Sequence, residues 1–229
     1  MGLIELLVGI AISLFMLAGI VTVLSTTQKN SLVQNQMSTL QDDQRMAFNM
    51  LQMVSQHAGY YPDVVTVTTV NALPAVSGTF QVGQYITGTG DNLGVDAASD
   101  TLTVRYSTAG SKADSMMDCN GSENTTAATV SYVNVFSVNA SNELTCKVNA
   151  LTSQVLSGGV KSMIISYLVD INNDGSAYQY INANNMTTVY WNQIKAIKII
   201  INFINPLSGQ ATQASTFQMS RVINVWNKP

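Results

Sequence analysis

The sequence has few charged residues: Asp, Glu, Lys and Arg make up 10% of its 229 residues, against about 25% in an average soluble domain. The ten Lys and Arg are scattered along the chain, and the net charge at pH 7 is only −3. A protein that binds nucleic acid through charge carries a basic patch or stripe, so nothing here indicates a nucleic-acid partner. Asn, Thr, Ser and Gln replace the missing charges, which indicates a surface solvated by neutral polar groups, as on many extracellular bacterial proteins.

Residues for acid–base or nucleophilic catalysis are also scarce. His57 is the only histidine, and it lies in a stretch of helical periodicity, where we expect an ordinary helix residue and not a catalytic base. The sequence contains no G-x-S-x-G motif, no P-loop and no cluster of metal ligands. An enzyme is therefore the least expected class of protein.

Only two cysteines are present, Cys119 and Cys146. Two thiolates cannot complete a structural zinc site without further ligands, and His57 is distant in the sequence. We expect the pair to form a disulfide in an oxidising compartment outside the cytoplasm. Two separate buried thiols are the alternative.

The most informative segment that the sequence does contain is residues 6–24, nineteen residues without a charge. As a helix rising about 1.5 Å per residue, this run would nearly cross the ~30 Å hydrocarbon core of a bilayer. A secretory signal peptide would need a basic region before the run and a small-residue cleavage site after it, and no Lys or Arg precedes Lys29. The run predicts a transmembrane helix, of which a plain membrane anchor is the simplest form.

Glu5 stands at the edge of this apolar run. An ionised, unpaired carboxylate in lipid costs several kcal/mol, so an acidic residue at such a position is a candidate functional residue. The alternative is a carboxylate that reaches the membrane surface and is solvated there.

The residues Leu3-Ile4-Glu5-Leu6-Leu7-Val8 resemble the start of mature type IV pilins and type II secretion pseudopilins. In that family a prepilin peptidase cuts the precursor after a Gly, the new N-terminus is methylated, and the fifth mature residue is Glu. The resemblance implies that Met1 is the N-methylated first residue and that Glu5 pairs with the Met1 amine of a neighbouring subunit. Met1 replaces the usual Phe, and Thr22 stands where many major pilins have a Pro that kinks the helix.

Later segments of the chain resemble PilW-type minor pilins in their order and spacing. The resemblance extends over most of the sequence and includes both cysteines. It is carried by residues 45–48, 58–60, 118–121, 142–146, 167–180 and 191–225.

Apolar residues at near-helical spacing continue from residue 25 to residue 58 and predict an amphipathic extension of the same helix. Gly59 is typical of the residue that follows a helix C-terminus. The sequence thus predicts three segments: a transmembrane or filament-core helix at 1–24, its amphipathic continuation at 25–61, and a β-rich globular domain at 62–229.

After Pro62 the apolar pattern changes to a period of two, which is typical of half-buried strands. Clusters of Asn, Asp and Gly separate the runs and predict turns. The expected fold is α+β: a long N-terminal helix, apolar in its first half and amphipathic in its second, packed on a C-terminal antiparallel β-sheet domain. The predicted strands are residues 64–70, 101–106, 129–138, 162–169, 194–204 and 216–225.

Residues 170–175, Asp-Ile-Asn-Asn-Asp-Gly, match the first half of a calcium-binding loop. Asp170, Asn172 and Asp174 would supply side-chain oxygens at alternate positions, and Gly175 would allow the sharp turn. Position 12 of such a loop, where a bidentate Glu is required, is Ile181. We therefore favour a hairpin turn whose side chains bond its own backbone, and calcium is the alternative. No other cofactor is expected.

Two weaker patterns concern the surface. The aromatic residues Tyr60, Tyr61, Tyr190 and Trp191 could form a binding patch, although packing in the core or sheet is the favoured role. Glycosylation sequons also occur, but such matches arise by chance in a chain rich in Asn and Thr; they begin at Asn120, Asn124, Asn139 and Asn185.

Together these features predict a structural pilin subunit, minor or major, of a type IV pilus. It would be held in the inner membrane before assembly and then polymerise with other pilin subunits into an extracellular filament for adhesion, motility or DNA uptake. Its further partners would be prepilin peptidase and the pilus assembly machinery. A type II secretion pseudopilin and a membrane-anchored adhesin that does not polymerise are the alternatives.

Overall fold

A helix of 55 residues, α1, occupies Leu3–His57 in the computed structural model, which describes residues 2–90, 99–175, 178–209 and 212–226. The helix contains no Pro, and Gly9 and Gly19 keep helical geometry. The chain divides into two compact units, Met1–Asp42 and Asp43–Pro229. The helix therefore belongs to the first unit up to Asp42 and to the second unit from Asp43 onward.

The second unit is rich in β-strands. Its strands are β1 (Ile86–Thr89), β2 (Thr101–Thr108), β3 (Val130–Val138), β4 (Leu144–Val148), β5 (Gln154–Ser157), β6 (Val160–Asp170), β7 (Tyr178–Ile181), β8 (Ile194–Ile204) and β9 (Thr216–Asn224). Its short helices are α2 (Thr69–Ala72) and α3 (Thr188–Trp191), with 3-10 turns at Gly110–Lys112 and Ala183–Asn185. The predicted α+β architecture, a long N-terminal helix followed by antiparallel strands, is confirmed.

The strands form two antiparallel sheets where the sequence predicted one. The first has the order β1-β2-β3-β4-β5 and the second the order β7-β6-β8-β9. The segment that leads into β2 is bonded to β6 of the second sheet. The Asp100 N–H donates to the carbonyl of Met163 at 2.8 Å, and the Asp100 carboxylate accepts the N–H of Ile165 at 2.7 Å. These bonds connect the residue that precedes β2, in the first sheet, to β6, an inner strand of the second sheet.

The long strands β6 and β8 carry much of the core. Met163, Ile165, Tyr167 and Val169 are all buried at alternate positions of β6, as the period of two predicts. Burial of one such side chain contributes about 1.5–3 kcal/mol. The strand predicted at residues 194–204 coincides with β8. The short strands β1, β4, β5 and β7 lack enough alternation to have been predicted.

The strand predicted at residues 64–70 is wrong. This segment is a turn that leads into α2, because the Asp63 carboxylate accepts the N–H groups of Val65 at 3.3 Å and Thr66 at 2.9 Å. Such local side-chain bonds compete with strand pairing. Val65 is 91% exposed, and β-branched residues favour a strand only where neighbouring side chains cover them.

Candidate functional site

The first turn of α1 brings Glu5 back onto the start of its own helix. The Glu5 carboxylate accepts the N–H of Gly2 at 3.1 Å, and the Glu5 N–H donates to the Gly2 carbonyl at 3.0 Å. A carboxylate is favoured here because it meets unpaired N–H groups and the positive end of the helix dipole. Glu5 therefore caps its own helix, and its pairing with a neighbouring subunit stays a prediction. Met1, the predicted methylated residue, lies outside the described residues.

The apolar residues in the first part of α1 are uncovered. Residues 2–32 are exposed on every side of the helix, including Leu14 at 61% and Phe15 at 85%. Soluble proteins rarely leave a continuous apolar surface of this size open, and a helix that is apolar all round is typical of a membrane span or a buried core. Among the described residues, α1 is the one helix long and apolar enough to cross a membrane.

Hydroxyl groups in this part of α1 are bonded within the helix. Ser13 donates to the carbonyl of Gly9 at 2.8 Å, and Thr22, Thr26 and Thr27 donate to carbonyls four residues earlier at 2.9 Å. In lipid no water is present to satisfy such groups, so internal bonding removes the cost of inserting them. The helix passes through Thr22 without a break, because Thr, unlike Pro, retains its backbone N–H.

From Asp43 onward α1 is part of the second unit and buries one face. Phe48 is 1% exposed and Leu51 is fully buried. Arg221 of β9 lies over the Phe48 ring at 5.3 Å and donates to the Gln52 side-chain oxygen at 3.0 Å. This part of the helix is thus fixed to the second sheet by packing and by a polar contact.

The helix ends against the first sheet. Gly59 adopts a positive φ of 79°, as predicted for the residue after a helix, and its N–H donates to the carbonyl of Arg105 at 3.0 Å. The His57 ring packs edge-on against Tyr106, with centroids 5.3 Å apart. Burial lowers the pKa of the His57 imidazole below 6.5, although the nearby Asp114 carboxylate opposes this. Its buried Nδ1 has no hydrogen-bond partner within the described part of the chain.

A disulfide joins Cys119 to Cys146, with their Cα atoms 6.3 Å apart. Both residues are fully buried. Cys146 lies in β4, and the Cys119 N–H donates to the side-chain oxygen of Asn134 in β3 at 2.9 Å. The disulfide therefore holds the long connection between β2 and β3 against the first sheet.

The candidate calcium loop is a turn between β6 and β7. The Asp170 carboxylate accepts the Gly175 N–H at 3.0 Å and forms an ion pair with Lys195 at 3.4 Å. Asn172 and Asp174 are exposed in this turn. The described residues contain no group of three or more His, Cys, Asp or Glu side chains suited to a metal. Both contacts of Asp170 use Oδ2, and its buried Oδ1 makes no hydrogen bond within the described residues, so calcium binding stays a prediction.

Arg105 is a residue that sequence reasoning missed. It is 1% exposed, and burial lowers its pKa to about 10, so it remains charged at neutral pH. Its guanidinium lies 4.5 Å from the Phe80 ring and donates to four main-chain carbonyls, those of Leu73, Pro74, Gln81 and Gln84. An Arg within an alternating strand carries no sequence signal of this role.

Comparison with known proteins gives one family match. Residues 132–222, from β3 to β9, match the family PilW, described as Type IV Pilus-assembly protein W. No curated protein matches the chain. The matched residues include Cys146, and they overlap the later segments whose order and spacing resemble PilW-type minor pilins. Residues 132–222 are therefore similar to PilW, a family of pilus-assembly proteins.

Proposed function

We propose that the chain is a structural pilin subunit of a type IV pilus, which is held in the inner membrane and then polymerises into an extracellular filament through residues 3–24 of α1. The observation that carries this proposal is the apolar surface of residues 3–24, which is exposed on every side of the helix. Lipid can cover this surface before assembly, and the equivalent helices of other pilin subunits can cover it afterwards.

Glu5 would set how neighbouring helices align. It is the only charged side chain in the first 28 residues, and the uniformly apolar surface of residues 6–24 offers no other feature that could define an axial position. Burying an unpaired carboxylate costs several kcal/mol. Pairing with the Met1 amine of a neighbouring subunit would neutralise both charges and select one alignment.

The experiment must separate this pairing from the bond that Glu5 makes to Gly2. Glu5→Ala removes both the charge and the cap, whereas Glu5→Gln keeps an acceptor for the Gly2 N–H and removes only the charge. Asp42→Asn is the matched control, because Asp42 is an exposed acidic residue of the same helix. The measurement is the amount of each variant in sheared surface filaments relative to the membrane fraction.

We expect both Glu5 variants to insert into the membrane normally and to enter filaments at least about tenfold less than the wild type, because breaking a buried charge pair costs about 3–5 kcal/mol. Asp42→Asn should assemble like the wild type. Normal assembly of Glu5→Gln would contradict the pairing and would leave helix capping as the role of Glu5. Absence of the wild-type chain from all filaments would instead contradict the structural-subunit proposal.

A further inference from the structure

A cavity of about 470 Å³ opens in the second unit between the loop at residues 75–84 and the segment that ends in α3. Its volume lies within the range of about 300–1,000 Å³ that is usual for small-molecule sites. None of the lining residues that the structure describes is charged: they supply hydroxyl groups, amides, and the aromatic rings of Phe80 and Trp191. The lining therefore suits a neutral ligand with both polar and apolar surface.

Four of the described residues that line this cavity carry hydroxyl groups: Ser77, Thr79, Thr87 and Thr188. None of them makes a side-chain hydrogen bond to another described residue. By contrast, several Thr and Ser hydroxyls elsewhere in the chain are bonded to the protein, such as the Thr22 hydroxyl to the Ala18 carbonyl. The cavity thus concentrates side chains that can donate to a ligand and accept from it.

Trp191 is held in place without using its polar group. Its ring packs edge-on against Tyr167 at a centroid distance of 5.0 Å, and α3 is capped by Thr187, which accepts the Tyr190 N–H at 3.3 Å. The indole N–H makes no hydrogen bond within the described part of the chain. A fixed aromatic ring with a free donor is a suitable platform for an amphipathic ligand.

The loop at residues 75–84 is anchored by hydrogen bonds from Arg105. The guanidinium donates to the Leu73 and Gln81 carbonyls at 3.3 Å and lies 4.5 Å from the ring of Phe80, which lines the cavity. Val76 and Phe80 also pair through backbone bonds of 2.9 and 3.0 Å. A wall that is ordered before binding lowers the entropy cost of association.

We propose that this cavity binds a neutral carbohydrate of one or two sugar rings, with a ring face against Trp191 and ring hydroxyls bonded to the Ser and Thr hydroxyls. A charged ligand would find no opposite charge in the lining. A purely apolar ligand would leave the four hydroxyls without partners, which is costly. This inference is independent of polymerisation, because it concerns only residues of the second unit.

The test uses the full chain in lipid nanodiscs, since detergents with sugar headgroups would compete for the cavity. The chain has two tryptophans, and Trp226 is 68% exposed and does not line the cavity. In the Trp226→Phe variant, tryptophan fluorescence reports on Trp191 alone. This variant is titrated with glucose, galactose, N-acetylglucosamine, maltose and lactose, and with glucuronate as the charged comparison.

We expect a saturable change in Trp191 fluorescence with at least one neutral sugar and a weaker response to glucuronate. Calorimetry with that sugar should show that Trp191→Leu weakens binding about tenfold or more, equivalent to about 1.4 kcal/mol, whereas Trp226→Leu has no effect. Thr188→Val, at an exposed position, should weaken binding about threefold to tenfold, as expected for one hydrogen bond.

The proposal is overturned if no neutral sugar of the panel binds at millimolar concentration. It is also overturned if glucuronate binds best, or if Trp191→Leu and Thr188→Val both bind as tightly as the wild type. If Trp191→Leu does not fold, Thr188→Val alone decides the outcome. Melting curves of each variant establish whether it is folded.

Discussion

Two stretches of α1 differ in the burial of their apolar side chains. Residues 3–24 expose them on every side of the helix, whereas residues 43–57 gather them on one face and bury them, with Phe48 at 1% exposure. The two stretches share a helix but differ in periodicity. A one-sided apolar pattern indicates that the covering surface lies in the same chain, and an all-round pattern indicates that it lies outside the chain.

This difference separates residues that hold the fold of the second unit from residues that this fold leaves uncovered. In the second stretch an apolar side chain contributes to the stability of the folded chain itself. In the first stretch it contributes only when a surface outside that stretch covers it. Substitutions of the same residue type in the two stretches can therefore test the distinction directly.

The largest expected effect comes from a matched pair of phenylalanines. Phe48→Ala removes a ring that is 1% exposed and should lower the free energy of unfolding by about 3–5 kcal/mol. Phe15→Ala removes a ring that is 85% exposed and should leave unfolding of the second unit unchanged. Chemical denaturation of the full chain, followed by near-UV circular dichroism, measures both. Equal destabilisation by the two variants would remove the basis of the comparison.

The sequence pattern predicted the long elements well, because each carries either a regular apolar periodicity or an uninterrupted apolar run. The helix, its end before Gly59 and the strand β8 all follow from such patterns. The prediction failed at residues 64–70, where one carboxylate, Asp63, directs the local backbone. A β-branched run alone does not show whether a partner strand will be available.

The candidate sites also differ in whether the sequence alone reveals them. Glu5 is conspicuous in the sequence because it interrupts an apolar run. Arg105 and the cavity near Trp191 depend on contacts between segments 20 or more residues apart, such as the bond from Arg105 to Gln84. No spacing rule connects these residues, so only the folded chain brings them together.

A smaller, pH-dependent effect is expected at the end of the second stretch. Burial keeps the pKa of His57 below its ordinary value of 6.5, so the folded chain holds fewer protons than the unfolded chain as pH falls below about 6.5. The stability from His57 is therefore present above that pH and lost below it. His57→Gln should flatten the dependence of melting temperature on pH between about 5 and 7. An unchanged slope would show that His57 is not the source of the pH dependence.

The smallest effect is expected from a second matched pair in α1, Gln52 and Gln28. Gln52 accepts a hydrogen bond of 3.0 Å from Arg221, whereas Gln28 is exposed and makes no side-chain bond to another described residue. Gln52→Ala should lower the free energy of unfolding by about 1 kcal/mol, because Arg221 loses an acceptor. Gln28→Ala should change it by less than about 0.5 kcal/mol, as surface substitutions usually do. Both variants make the same change in helix propensity, so the difference between their urea denaturation curves measures the Arg221 contact. Coincident curves would mean that apolar packing, without the Arg221 contact, holds this face of the helix.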